Sequence, residues 1–362
     1  MLKYEKRLLL VFTLLLSVIL FFFIEIRMSP DSKTYLRVSR GIIDFNSFFA
    51  LEEPLYLMSY LIFKLVSLTE NFEFFFKCLN LFSFFLIVIY TAKILKHFKI
   101  EFNNYFEYLF FLSLFFLNFE ILQWIKFALT DLILVSLMLS AIYFSLKNRY
   151  FLATLIFLIS ALIKPQSIFI FFILFFLYFF KHKKSLLFLF LYFSFYIFLI
   201  STLFILDYSK INFDLYIFGV LDFIFIDRIV EGNIVDDRYY IDYINFFSVF
   251  KIYFLRLISL YSIYFAEYSN DHKIYKFFYF FLIYFPIIFF IFSKNKLDKN
   301  IFTLSVGSIV IISTFIILTF IDYDLRYRLY IFPFIILIST YCLIKSNLIK
   351  KFLNFNKKII YD

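Results

Sequence analysis

The residues that could do chemistry in this chain are few, scattered and set beside long apolar runs. The first group reads Ser29-Pro30-Asp31-Ser32-Lys33-Thr34-Tyr35, followed by Asp44 and then by Glu52-Glu53-Pro54-Leu55-Tyr56. A carboxylate held near a membrane surface can take a proton from a sugar hydroxyl or help bind a divalent ion. Asp31 and Glu53 are therefore the candidate catalytic residues, with solvated loop charges as the alternative; Asp44 and Glu52 read as loop charges. Asp131 follows Trp124-Ile125-Lys126-Phe127-Ala128-Leu129-Thr130 and opens an apolar run. An ionisable residue inside such a run is costly, so it marks either a substrate contact or a structural pair, for which Lys126 is the nearest partner in sequence.

Lys164-Pro165-Gln166-Ser167 joins apolar stretches 150–163 and 167–180. Fourteen helical residues reach only about 21 Å against a hydrocarbon core of about 30 Å, so the tip of this hairpin is expected below the membrane surface. Irregular backbone and a lysine at that depth are tolerated where protein or a water-filled cavity surrounds them. Lys164, with Gln166 beside it, is thus a candidate for holding a lipid-linked phosphate; a lysine snorkelling from a helix end is the alternative. The segment Asp322-Tyr323-Asp324-Leu325-Arg326-Tyr327-Arg328 precedes another apolar run. Arginine's planar fork suits phosphate or carboxylate, which makes Arg326 and Arg328 further binding candidates, unless they pair with Asp322 and Asp324.

The elements that must position these groups follow from composition. The chain has 362 residues, 64% hydrophobic, 26% aromatic and 17% charged, against about 45–50% apolar and about 25% charged in soluble domains. A water-soluble enzyme and a disordered chain are excluded. With only 4 Gly among 64 Phe and 29 Tyr, no P-loop, Gly-rich nucleotide fingerprint or HExxH signature is present. Cys78 and Cys342 lie far apart, and no Cys or His cluster has metal-ligand spacing, so neither a disulfide scaffold nor a zinc site is expected and no metal ligand is assigned; the residues identify no cofactor and leave a metal requirement open. His97 and His182 sit among lysines, and His272 has no companion histidine. The net charge of +10 punctuates apolar segments and forms no basic face, which argues against nucleic acid.

A span needs about 20 apolar residues. Ten stretches meet or approach this: 8–26, 74–92, 105–122, 127–146, 150–163, 167–180, 185–206, 277–292, 301–321 and 329–344. The expected fold is all-α, a polytopic transmembrane helical bundle forming a single integral membrane domain over 1–362. The first stretch lacks a small-residue cleavage site after Glu25-Ile26-Arg27 and reads as an uncleaved anchor. Stretches 54–69 and 246–265 carry lysine or arginine and are left outside the count. In the second, Ser248, Lys251, Ser259 and Ser262 share one helical face, as in an interfacial or cavity-lining helix.

Lys3, Lys6 and Arg7, Lys93, Lys96 and Lys99, Lys147 and Arg149, Lys181, Lys183 and Lys184, Lys294, Lys296 and Lys299, and the terminal lysines all fall on one side of this topology. The positive-inside rule then puts both termini in the cytoplasm of a cytoplasmic (inner) membrane. The long loops 27–73, with interfacial helices, and 207–276, with an amphipathic helix, face outward and carry much of the acidic charge, including Asp236-Asp237-Arg238-Tyr239-Tyr240. Chemistry on that face lacks cytosolic nucleotides, so an activated substrate there is expected to be attached to lipid.

Asp31 with Tyr35, Thr130-Asp131 opening a span, Ala161-Leu162-Ile163-Lys164-Pro165, and Arg326-Tyr327-Arg328-Leu329 before Pro333 occur in the order seen in polytopic glycosyltransferases of the GT-C class. The chain resembles the bacterial relatives of protein mannosyltransferases and lipid A aminoarabinose transferases. The resemblance implies a polyprenyl-phosphate sugar donor, a cell-envelope glycan, lipid or protein acceptor, Asp31 as the catalytic carboxylate, and Lys164 and Arg326 as phosphate contacts. Lys33 stands where the family has a second acid, and the chain is short for the class. A second resemblance, to EpsG-like and Wzy-like polysaccharide polymerases, rests on Glu53-Pro54-Leu55-Tyr56 and Lys147-Asn148-Arg149-Tyr150-Phe151. It departs at Lys126-Phe127 and at Lys164-Pro165, where an Arg-Gln pair and a histidine are expected. From another class, a flippase or transporter of lipid-linked glycans should show related halves and broken, charged helices near the midplane.

Overall fold

The computed structural model describes scattered positions between 11 and 23, then 25–41, 56–69, 71–164, 167–181, 257, 260 and 261, 269–293, 298–319 and 325–346. The stretch 185–206, most of 8–26 and of loop 207–276, and the candidates Glu53 and Gln166 lie outside these residues.

Every extended element among the described residues is helical. In chain order they are α1 (Pro30–Gly41), α2 (Leu57–Ser67), α3 (Phe72–His97), α4 (Tyr105–Phe116), α5 (Phe119–Ile125), α6 (Asp131–Leu146), α7 (Tyr150–Ala161), α8 (Ile168–Lys181), α9 (Asn270–Phe292), α10 (Lys299–Thr319), a 3-10 turn (Leu325–Tyr330) and α11 (Phe332–Lys345). The starts follow the capping chemistry of the sequence: the side chains of Asn71, Asn104, Asn118 and Ser269 accept from Phe74 N, Glu107 N, Ile121 N and His272 N at 3.0, 2.9, 3.0 and 3.3 Å. Each satisfies a backbone donor that the first helical turn leaves open.

Among the described residues three helices, Phe72–His97, Asn270–Phe292 and Lys299–Ile316, are long and apolar enough to cross a membrane. Tyr105–Phe116 and Phe119–Ile125 form a pair bent by 56°, a broken span or re-entrant segment. The other expected spans are shorter as helices: α6 has 16 residues, α7 12, α8 14 and α11 14, less than the roughly 20 that cross the hydrocarbon unaided. The expected span at 127–146 starts its helix only at Asp131, because 126–130 is held as irregular chain. There Arg27 N donates to Lys126 O (2.6 Å), Ala128 N to Arg27 O (3.0 Å), and Ser32 Oγ to Ala128 O (2.6 Å). Asn80 Nδ2 donates to Ile125 O and Phe127 O at 3.0 and 2.7 Å. Backbone polar groups buried in an apolar setting need such partners.

The core runs through α6 and α11. Helix α6 packs on α3 and α7, α11 on α9 and α10, and α8 joins them through α10. Residues Pro333–Ile344 of α11 are all buried, as expected of a helix apolar on every side. Around the outside, Phe82, Phe151, Phe277, Phe278, Phe281 and Phe292 are exposed, a surface fit for lipid and not for water. A smaller cluster of Tyr35, Tyr60, Phe63, Val66, Phe76, Ala128 and Leu129 fastens α1 and α2 to one end of the bundle.

Candidate functional site

At that same end, charged side chains from several helices are buried together. Lys164, just past α7, donates from Nζ to Asp131 Oδ2 at 2.7 Å, and each side chain is only 2% exposed. The other carboxylate oxygen, Oδ1, accepts from Tyr330 Oη, also at 2.7 Å. Phe169 packs against the Tyr330 ring with centroids 4.9 Å apart. Below the pair, Ser59 Oγ lies 2.9 Å from Thr130 Oγ1 and donates to Ile163 O at 2.8 Å, which ties α2 to the turns that carry Asp131 and Lys164. The expected neighbour Lys126 is exposed and is not the described partner of Asp131; the pair forms across 33 residues of sequence instead.

A second group lies beside the bend between α4 and α5. Glu120 Oε1 accepts from Lys276 Nζ at 2.6 Å and from Arg328 Nη1 at 2.8 Å. Glu120 Oε2 is buried without a hydrogen-bond partner among the described residues. Tyr279 Oη donates to Leu114 O (2.7 Å) and accepts from Asn118 Nδ2 (2.9 Å), and Tyr275 Oη donates to Leu117 O. These bonds take up carbonyls that the break in the α4–α5 ladder exposes. Glu120, Lys276 and Arg328 line a cavity of about 60 Å³ with Asn118, Tyr261 and Tyr284. That is room for about two waters.

The two groups meet on the 3-10 turn, since Arg328 serves Glu120 and Tyr330 serves Asp131. Of the candidates read from sequence, Asp131, Lys164, Arg328 and Tyr35 thus share this end of the bundle. Tyr35 is buried, and Lys164 Nζ lies 6.0 Å from its ring centroid. Asp31 is half-buried in the first turn of α1, one helical turn before Tyr35 and beside Ser32, which bonds to Ala128 O. Arg326 lies in the same 3-10 turn as Arg328, and its side chain is outside the described residues.

Glu120, Lys276 and Tyr330 were not anticipated. The signal for Glu120 was present, a carboxylate inside the apolar stretch 105–122, and Lys276 stands one residue before the stretch 277–292. Among the described residues no group of three or more His, Cys, Asp or Glu could hold a metal ion. No family model matches the chain, and no curated protein or solved structure matches it.

Chemically, the end of the bundle offers opposite charges at hydrogen-bond distance in surroundings largely free of water. Charges in such surroundings act strongly on a bound anion and need little reorganisation to do so. Among the described residues the second group places two cations and one carboxylate around its cavity. The carboxylate's open oxygen suits a hydroxyl donor.

Proposed function

We propose that the chain is a membrane glycosyltransferase that moves a sugar from a polyprenyl-phosphate donor to a cell-envelope glycan, lipid or protein acceptor. The reaction lies on the outer face of the cytoplasmic membrane, in a bundle of about ten spans with both termini inside. The observation that carries this reading is the buried meeting of Asp131, Lys164, Glu120, Lys276 and Arg328 at one end of an apolar helical bundle. Buried ionisable groups in membrane helices are expensive and mark substrate paths.

In this reading Arg328 and Lys276 meet the donor phosphate, the one part of the donor that a cavity of this size suits. Asp31 takes the proton of the acceptor hydroxyl. The acceptor oxygen bonds to the sugar's anomeric carbon as the bond from that carbon to the phosphate oxygen breaks, and polyprenyl phosphate leaves with the electron pair. Stabilising that departing charge is the larger effect, since general-base help alone gives about 10² to 10⁴-fold. Lys164, held by Asp131, positions the turn beside Tyr35 and Asp31.

The bent pair α4–α5 with Glu120 at its break favours one other reading, a flippase or transporter of lipid-linked glycans, in which broken helices line the substrate path. Purified protein in liposomes with a labelled polyprenyl-linked sugar separates the two. Appearance of label on an acceptor supports transfer; movement of intact donor between leaflets without transfer replaces it with flipping.

A further inference from the structure

The opposite end of the bundle carries a feature that the transfer reading does not use. His97 at the end of α3 with Phe98 and Lys99 after it, Ser145 and Leu146 at the end of α6, Leu177 of α8, and Asp298 with Lys299, Asn300 and Thr303 at the start of α10 line a cleft of about 720 Å³. This is a volume that ordinarily holds a small molecule or headgroup. Its lining mixes polar and charged side chains with the apolar Phe98, Leu146 and Leu177, of which Leu146 is buried.

The backbone at the rim has an unusual residue in a demanding place. Helix α3 ends with Lys99 N donating to Lys96 O (3.0 Å) and Ile100 N to Leu95 O (3.1 Å), with Lys99 at φ 58°. The α6 end repeats this arrangement: Asn148 N donates to Ser145 O (2.9 Å) and Arg149 N to Phe144 O (2.9 Å), with Asn148 at φ 58°. Glycine is the residue that fits this left-handed closing position, and asparagine tolerates it. Lysine has neither advantage, so the conformation is kept at a cost to the fold. It places an exposed lysine in the lining of the cleft, which Lys299, also exposed, shares.

Neither Lys99 nor Lys299 forms an ion pair among the described residues. The carboxylate at the rim, Asp298, is engaged in capping, accepting from Asn300 N at 2.8 Å, while its own N–H donates to Tyr341 Oη at 2.7 Å. Lys93, Lys96, Lys147, Arg149 and Lys345 lie near the helix ends on this side and outnumber Glu101 and Glu107 there, whereas Asp131 and Glu120 lie at the far end.

We infer that this cleft binds the phosphate of an anionic glycerophospholipid headgroup. Lys99 and Lys299 contact the phosphate, and the acyl chains run over Phe98, Leu146 and Leu177. A basic pocket between helices at a membrane surface has the chemistry for such a headgroup. The apolar residues of the lining are what favour a lipid phosphate over free phosphate.

The test uses the purified full chain in detergent, titrated with dioleoyl-phosphatidylglycerol, with dioleoyl-phosphatidylcholine, or with inorganic phosphate, and follows the thermal midpoint. Lys99→Gly removes the charge and also relieves the left-handed backbone, so it should unfold no earlier than the parent without lipid. Lys299→Gln is the second variant, at an exposed position. Phosphatidylglycerol should raise the midpoint, the other two should not, and each variant should need about tenfold more phosphatidylglycerol for the half-maximal shift, the loss of roughly one charge-assisted contact. The inference is overturned by the absence of any phosphatidylglycerol shift, by an equal shift with phosphatidylcholine, or by unchanged titrations in both variants. It is also overturned if inorganic phosphate alone reproduces the shift, which would assign the cleft to a free anion.

Discussion

Lys164 and Asp131 stand 33 positions apart in the chain and 2.7 Å apart in space, both almost wholly buried. With Tyr330 on the second carboxylate oxygen, the pair fixes the ends of α6 and α7 and the approach to α11 at one point. Removing one member of a buried pair leaves the other charge uncompensated, which costs about 3–5 kcal/mol, whereas an apolar replacement of both is close to neutral. Lys164→Met and Asp131→Leu should therefore each lower the thermal midpoint strongly, and the double variant should recover part of the loss. A double variant as unstable as the sum of the two would show that the residues do not act as a pair.

Arg328 lines the small cavity and also touches Glu120. Arg328→Lys keeps the charge but loses the planar fork, and is expected to weaken use of the lipid-linked donor by about tenfold or more. In a liposome transfer assay this should appear as a raised donor KM. An unaltered KM would take Arg328 away from the phosphate.

Asp31→Asn keeps the size of the side chain in the first turn of α1 and removes its basicity. Transfer should fall by about 10² to 10⁴-fold, with membrane insertion and thermal midpoint close to those of the parent. Near-normal turnover in the variant would remove Asp31 from proton transfer.

Glu120→Gln should be felt at both Lys276 and Arg328, since one carboxylate oxygen holds both. Two cations without their common anion repel, so we expect a lower thermal midpoint that recovers on adding an anion small enough for the cavity, such as inorganic phosphate. A midpoint unaffected by the substitution would mean that the three charges are not coupled.

Gly307 on α10 meets the ring of Phe176 on α8 so closely that an added methyl group requires the ring to move aside. Gly307→Ala should destabilise the α8–α10 contact by about 1–3 kcal/mol, as overpacking does. Adding Phe176→Leu should restore much of the loss, as measured by thermal unfolding.

The helical, membrane-type character of the chain was legible because Phe-rich apolar runs have few other uses. So was the unusual setting of Asp131 and Lys164, as charges placed against such runs. Their union was not, because periodicity describes one helix at a time and says nothing of which ends meet. Lys126 looked like the partner of Asp131 by proximity in sequence; the irregular 126–130 segment, tied down by Arg27, Ser32 and Asn80, leaves Lys126 exposed while Asp131 is buried. Glu120 escaped notice because its stretch was counted as one uninterrupted span, and the bend at Asn118 that buries it depends on bonds from Tyr275 and Tyr279, more than 150 residues later. The short helices α6, α7 and α11 show the same limit: hydropathy counted their apolar flanks, whereas the irregular chain and turns beside them set their real lengths.

The 3-10 turn from Leu325 to Tyr330 has a mechanical consequence. With three residues per revolution, side chains two positions apart project in different directions. One rigid segment thus grips Glu120 through Arg328 and Asp131 through Tyr330. The two buried carboxylates are thereby tethered through one turn, so a displacement of that turn is felt at both.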